Sequence, residues 1–324
     1  MSTSEKILKD RRKHSDKIIG QLRKQVRSMA EVKKTPDLCI YATGSFARGD
    51  ASPHSDLDVF FIDHGEKCSK IQMTLISADL IRACRKLQLP EFSGDGRFLS
   101  LHRLVHVREK LGSPDDDYEN YFTARMLLLL ESTPISDQMT YDKILKQIVD
   151  SYYRDYHDHE VGFRPIFLAN DIIRFWKTMC LNYEHKRNRK PPDIDTKRRS
   201  HLKNLKLKFS RLTMCFSMIL VLAENDKKLG PDRVMKIVKK PPIKRIEEVV
   251  ANMSGGRDVY DRLLEEYGWF LEKTGVAEAQ CLEWIGDEVQ RNDAFKHARQ
   301  FGKIMFDLLL KVAQDGDTLR YLII

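Results

Sequence analysis

Two aspartates one residue apart open an apolar run, Asp56-Leu57-Asp58-Val59-Phe60-Phe61. No other feature restricts the chain as strongly. The run is rich in strand formers and predicts a buried strand over 57–62. Residues i and i+2 of a strand point to the same face. Asp56 and Asp58 therefore stand side by side, and like charges so placed repel unless a cation lies between them. Paired hard-oxygen ligands suit Mg²⁺ that bridges phosphate groups. A second apolar run, Leu38-Cys39-Ile40-Tyr41-Ala42, predicts another buried strand over 37–42. Between the two lies Thr43-Gly44-Ser45-Phe46-Ala47-Arg48-Gly49-Asp50, then Ala51-Ser52-Pro53-His54-Ser55. Gly44 lets the backbone approach a bulky ligand closely. The amide and hydroxyl of Ser45 suit phosphate oxygens, more so if a helix begins there.

Gly44-Ser45, followed by Asp56-x-Asp58 opening an apolar strand, resembles the DNA polymerase β-like nucleotidyltransferase superfamily. The fuller pattern, G-S-F-A-R-G-D and then S-D-L-D-V, is most similar to the bacterial branch that contains the uridylyltransferases of nitrogen signalling and their uncharacterised relatives. The motif covers residues 43–62, and a looser likeness continues through Thr123-Ala124-Arg125-Met126-Leu127-Leu128. The resemblance implies a mixed sheet of three or more strands and two Mg²⁺ ions. It also implies transfer of a nucleoside monophosphate from ATP or another NTP, with loss of pyrophosphate. The acceptor is a protein, an RNA or a small molecule. Carried over position by position, Asp56 and Asp58 hold metal, and Gly44, Ser45 and Arg48 face the nucleotide. Many members add a third carboxylate from a later strand, which helps activate the attacking hydroxyl. No acidic residue here stands in an evident third strand. The candidates are Glu91 and Asp95 in the loop Pro90–Gly96, with Asp95 the catalytic choice, although Asp between two glycines also suits a tight turn.

The remaining pattern predicts an α+β chain, with a small mixed-sheet domain over 1–115 and a larger all-helical domain over 116–324. Helices are expected at 5–33 and 70–88, then at about 118–131, 139–159, 165–184, 198–227, 257–275 and 289–315. In the 70–88 helix the apolar positions are Ile71, Leu75, Ala78, Ile81 and Leu87. The boundary is placed at Gly112-Ser113-Pro114.

The chain is 42% hydrophobic and 32% charged, a globular balance. Its longest apolar stretch, Leu212–Ala223, is short of a membrane span. With no secretion signal and no paired-cysteine motif, a cytoplasmic home without membrane contact is expected. His157 and His159 lack further ligands at zinc spacing. The formal charge of +9 is uneven. Residues 1–34 carry +7 and residues 186–211 carry +9, which leaves the rest at −7. Such clusters suit polyphosphate, nucleic acid or an acidic partner, or are simply solvated helix faces. Lys203 and Lys206 share one helical face, opposite an inward stripe of Leu202, Leu205, Phe209 and Leu212. Members of the superfamily often grip the triphosphate from the helical domain, so this pair is assigned to the phosphates. Asn170, Arg174 and Lys177 form a second polar face. Role in toxin–antitoxin or phage defence, and synthesis of a nucleotide messenger, are further enzymatic readings. The rivals outside enzymology are a catalytically inactive nucleotide-binding module and a protein-interaction module. Oligomeric state is not legible.

Overall fold

In the computed structural model, residues 2–92, 99–158, 160, 162–188, 193–224, 229–251, 253–313 and 320 are described. The chain forms two compact units. One comprises Lys9–Glu160 and Gly230–Pro241 and holds the sheet. The other comprises Met1–Leu8, Val161–Leu229 and Pro242–Ile324, and its described elements are helical.

The sheet unit begins with α1 (Thr3–Ser28), whose first residues belong to the other unit, and α2 (Ala30–Lys34). It continues through β1 (Leu38–Thr43), α3 (Gly44–Arg48), β2 (Asp58–Asp63) and α4 (Lys70–Lys86). Then come β3 (Leu101–Arg103), α5 (Leu104–Glu109), α6 (Pro114–Tyr118), α7 (Tyr121–Leu130), β4 (Thr133–Pro134) and α8 (Gln138–Ser151). The strand order is β3-β2-β1-β4. β1 runs antiparallel to both β2 and β4, and β2 runs parallel to β3, so the sheet is mixed.

The alternation of each strand sorts its side chains onto two layers. Leu38, Ile40 and Ala42 of β1, with Val59 and Phe61 of β2, join a core with Ile18, Leu22 and Val26 of α1 and Met73, Ile76 and Leu80 of α4. On the opposite face Tyr41 stacks on Phe60, with centroids 5.8 Å apart, and its hydroxyl donates to the Ala124 carbonyl of α7 at 3.0 Å. Phe60 in turn stacks on His102, a buried imidazole whose pKa desolvation lowers to about 4.

The helical unit contains α9 (Ile166–Arg187), α10 (Ile194–Lys206), a π-helical turn (Leu207–Arg211) and α11 (Leu212–Leu222), which follow one another, and later α13 (Pro242–Val250), α14 (Gly256–Thr274), α15 (Glu278–Gly286) and α16 (Glu288–Val312). α12 (Pro231–Val238) belongs to the sheet unit. No described helix is long and apolar enough to cross a membrane.

The α+β reading holds, and both expected strands form within one residue of their expected ends. Three readings are corrected. α4 buries Met73, Ile76, Leu80, Ala83 and Cys84, whereas Ile71 is 74% exposed and Leu75 47%. The helix carries two apolar stripes, and the sheet meets the one that the periodicity did not select. β3 forms where no strand was expected, and β4 interrupts a region expected to be wholly helical. Strands of three and two residues are too short to show a period-2 pattern, and they exist because β2 and β1 offer them edges. Finally, the sheet draws on residues beyond the break at Gly112-Ser113-Pro114, and the compact unit around it runs on to residue 160.

Candidate active site

β1 ends at Thr43, whose register partner across the ladder is Asp58, the first residue of β2. The next residue, Gly44, has φ +68°, in the left-handed region that costs other residues most. A Cβ built on Gly44 would lie 3.2 Å from the Asp58 Oδ2. The turn and the carboxylate are thus in near contact, and only glycine leaves that gap open. α3 starts here, so the first-turn amides near Ser45 have no partner within their own helix. Ser45 is half-buried, and Phe46 behind it is 2% exposed and anchors the turn in the core.

The chain from α3 to β2 is tied down at many points. The Asp50 amide donates to the Ser45 carbonyl at 3.0 Å. Arg48 donates to both carboxylate oxygens of Asp50, at 3.0 and 3.1 Å, and to Glu131 Oε2 at 2.6 Å. The Ala51 amide donates to the Ser15 hydroxyl of α1 at 3.2 Å. Ser52 and Ser55 close the following turn, with the Ser52 amide on the Ser55 hydroxyl at 2.9 Å and the Ser55 amide on the Ser52 carbonyl at 3.0 Å. This bracing delivers Asp56 exposed and Asp58 half-exposed, with Leu57 between them 1% exposed. Exposure alternates over these three residues, but β2 begins at Asp58, so Asp56 stands just before the strand that was expected to present both carboxylates.

The expected residues therefore divide. Gly44, Ser45, Asp56 and Asp58 come together at one end of the β1–β2 ladder. Arg48 sits beneath the turn and is committed to Asp50 and Glu131, its side chain 9% exposed. Lys203 and Lys206 are exposed on α10 of the helical unit. Asp95 lies outside the described residues. Glu91 is exposed and faces Arg85 at 3.5 Å. β3, the strand beside β2, contains no carboxylate. Sequence reasoning missed Asp50 and Glu131. The Glu131 side chain is fully buried, and its partner lies 83 residues away, so no local pattern announces it.

Among the described residues no group of three His, Cys, Asp or Glu side chains is arranged to hold a metal. Asp56 and Asp58 would supply two oxygen ligands and leave the rest of an octahedral shell to water and phosphate. Mg²⁺ takes that arrangement readily, because it retains waters and is commonly bound through one or two carboxylates. The open gap at Gly44 beside Asp58 suits a phosphate-bearing ligand.

The Gly44→Ala variant should test this gap directly. Strain at positive φ should cost about 1–2 kcal/mol, seen as a lowered denaturation midpoint. The added methyl should also displace the Asp58 carboxylate, so any metal-dependent activity should fall by more than the stability loss explains.

Residues 19–122 match the model of the family described as the nucleotidyltransferase domain. The match contains β1, α3, β2 and β3, and so the whole Gly44–Asp58 constellation. It agrees with the polymerase β-like superfamily and supports nucleotidyl transfer in general. No curated protein matches the chain.

Proposed function

We propose that this chain moves a nucleoside monophosphate from an NTP to an acceptor and releases pyrophosphate, with Mg²⁺ held by Asp56 and Asp58. The observation that carries the reading is the near contact between the positive-φ Gly44 turn and the Asp58 carboxylate. A phosphate-binding backbone and a pair of metal-binding carboxylates occupy one strand end.

Asp56 and Asp58 would hold Mg²⁺, and the bound ion would supply positive charge to offset that developing on the departing pyrophosphate. The protein groups position the reactants. The Ser45 hydroxyl and amide hold a phosphate oxygen, and Gly44 keeps the approach beside Asp58 clear. Leu57, packed in the core, fixes the segment that presents both carboxylates. The Arg48–Asp50–Glu131 cluster holds the turn from below, so that little has to reorganise on binding. In the transfer, a nucleophilic atom of the acceptor bonds to the α-phosphorus. The bond from that phosphorus to the bridging oxygen breaks, and pyrophosphate leaves with the electron pair. The acceptor's proton passes to a base, for which Asp95 is the candidate.

The test is incubation with each α-labelled NTP, Mg²⁺ and whole-cell lysate, with pyrophosphate release measured in parallel. Label should pass to a macromolecule or small molecule from one NTP in preference to the others, and EDTA should abolish the transfer. NTP binding with no pyrophosphate release under any condition would instead favour a nucleotide-binding module. No NTP binding at all would refute the assignment.

A further inference from the structure

The helical unit concentrates positive charge on one continuous run of backbone. From Ile194 to Arg211, α10 and the π-helical turn carry seven Lys/Arg against one Asp. The arginines near the start of this run are spent on carboxylates. Arg198 pairs with Asp195 at 3.3 Å and Arg199 with Glu278 at 3.0 Å. At the end of α9, Arg187 pairs with Glu184 at 3.2 Å. The lysines are not so engaged. Lys177, Lys197, Lys203, Lys206 and Lys208 have no carboxylate partner among the described residues.

Their placement follows from the side that is buried. Leu202, Leu205 and Phe209 point into the core, which turns Lys197 and Lys203 outward. Two cysteine sulfurs locate the lysines on the flanks. Burial raises the Cys281 thiol of α15, and Lys206 pulls it the other way, so Lys206 lies on the flank towards α15. Burial likewise raises the Cys180 thiol of α9, opposed by Lys177 and Lys208. Lys177 of α9 and Lys208 of the π-helical turn thus lie on the side of the unit that carries Cys180. Burial lowers the His201 pKa, and Arg291 and Lys197 lower it further. The cationic field thus extends to α16.

We infer that the helical unit carries a binding face for the phosphodiester backbone of a nucleic acid, built on Lys177, Lys197, Lys203, Lys206 and Lys208. The run from Ile194 to Arg211 is about 27 Å long at about 1.5 Å per residue, and its charges are spread along that length. A linear polyanion matches such a ridge, because each phosphate neutralised releases a counterion. A protein partner would need an apolar centre, and the large apolar side chains exposed beside these lysines among the described residues are two separate ones, Ile194 at the start of the run and Leu181 on α9. Among the described residues the face carries no exposed aromatic platform for bases, so it reads backbone and not sequence. π-Helical turns often mark functional positions, and this one contributes Lys208. This face does not depend on the transfer reaction, although a nucleic acid held here is an obvious acceptor class for it.

The test uses the full chain without NTP, so a failure of the transfer reading leaves it intact. Fluorescence anisotropy is measured with a labelled 20-nucleotide single-stranded RNA, the matching DNA and an RNA hairpin, over a range of salt. Binding should weaken linearly in log–log form with salt. Lys203→Ala/Lys206→Ala and Lys177→Ala/Lys208→Ala should each weaken it about tenfold and lower the salt slope by about 1–2. Lys67→Ala/Lys86→Ala, two exposed lysines of the sheet unit, should leave it unchanged. Tighter binding of RNA or of DNA names the source, and equal binding means that the backbone alone is read. Three results would each overturn the inference: no binding by any probe; equal loss in the Lys67/Lys86 control; or unchanged nucleic-acid binding in both Lys203→Ala/Lys206→Ala and Lys177→Ala/Lys208→Ala.

Discussion

The Asp58→Asn variant should lose at least about a thousandfold in Mg²⁺-dependent NTP turnover, or about 4 kcal/mol at about 1.4 kcal/mol per factor of ten. Asp58 is the carboxylate for which the turn makes room, since it faces Gly44 across a gap that one methyl group would close. It also begins the ladder opposite Thr43, so pairing with β1 fixes its backbone position. Asparagine keeps that shape and removes only the charge that would hold the proposed cation. The fold should therefore persist, with an unchanged circular dichroism spectrum and a melting temperature equal to or slightly above the parent's, because the repulsion with Asp56 is relieved. Asp56→Asn should behave in the same direction with a smaller stability effect, because Asp56 is more exposed. Turnover by Asp58→Asn within about tenfold of the parent would remove the metal assignment, whatever the acceptor proves to be.

What the sequence made legible follows from range. The Gly44–Asp58 constellation lies within fifteen residues, and each part has a local cause. Positive φ demands glycine, the apolar runs specify β1 and β2, and Asp58 opens the second of them. Elements specified at a distance were not legible. β4 is two residues long and is a strand only because β1 lies beside it. Arg48 reads locally as a cation near a phosphate turn. Its meaning changes once Glu131, from the end of α7, is brought to 2.6 Å from it. α4 shows the same limit in another form. Two apolar stripes were available, and only the position of the sheet decides that Ile76 and Leu80 are buried while Ile71 is exposed. The basic run near residue 200 was visible as charge, but which of its cations are free became clear only from the ion pairs of Arg198 and Arg199.

Arg125→Met should be the most destabilising single change in the sheet unit that leaves the proposed site untouched. Arg125 stands in α7 among leucines, and both it and Asp116 of α6 have fully buried side chains. Its Nη1 and Nη2 donate to the two oxygens of Asp116 at 2.9 and 2.6 Å, its Nη1 also to the Val107 carbonyl at 3.0 Å, and its Nε to the Tyr152 hydroxyl at 2.9 Å. Burial opposes a charge on Arg125, but Asp116 and Tyr152 outweigh it and raise its pKa above the usual value. One side chain therefore joins α5, α6, α7 and the turn after α8. Methionine fills much of the volume but leaves the Asp116 carboxylate in the interior, with the Gly112 amide at 3.2 Å as a much weaker partner. Stranding a buried charge in this way costs about 3–5 kcal/mol. At about 2–4 °C per kcal/mol for a unit of this size, the melting temperature should fall on the order of 10 °C. Simple loss of packing predicts a different pattern in the double variant. If the cost is the stranded charge, Asp116→Asn/Arg125→Met should recover most of the lost stability, because no ion remains to be buried. If the cost is packing, the double variant should be no better than the single. Thermal denaturation of the three proteins side by side separates the two, and a fall of less than about 1 kcal/mol in Arg125→Met would show that the buried pair is dispensable.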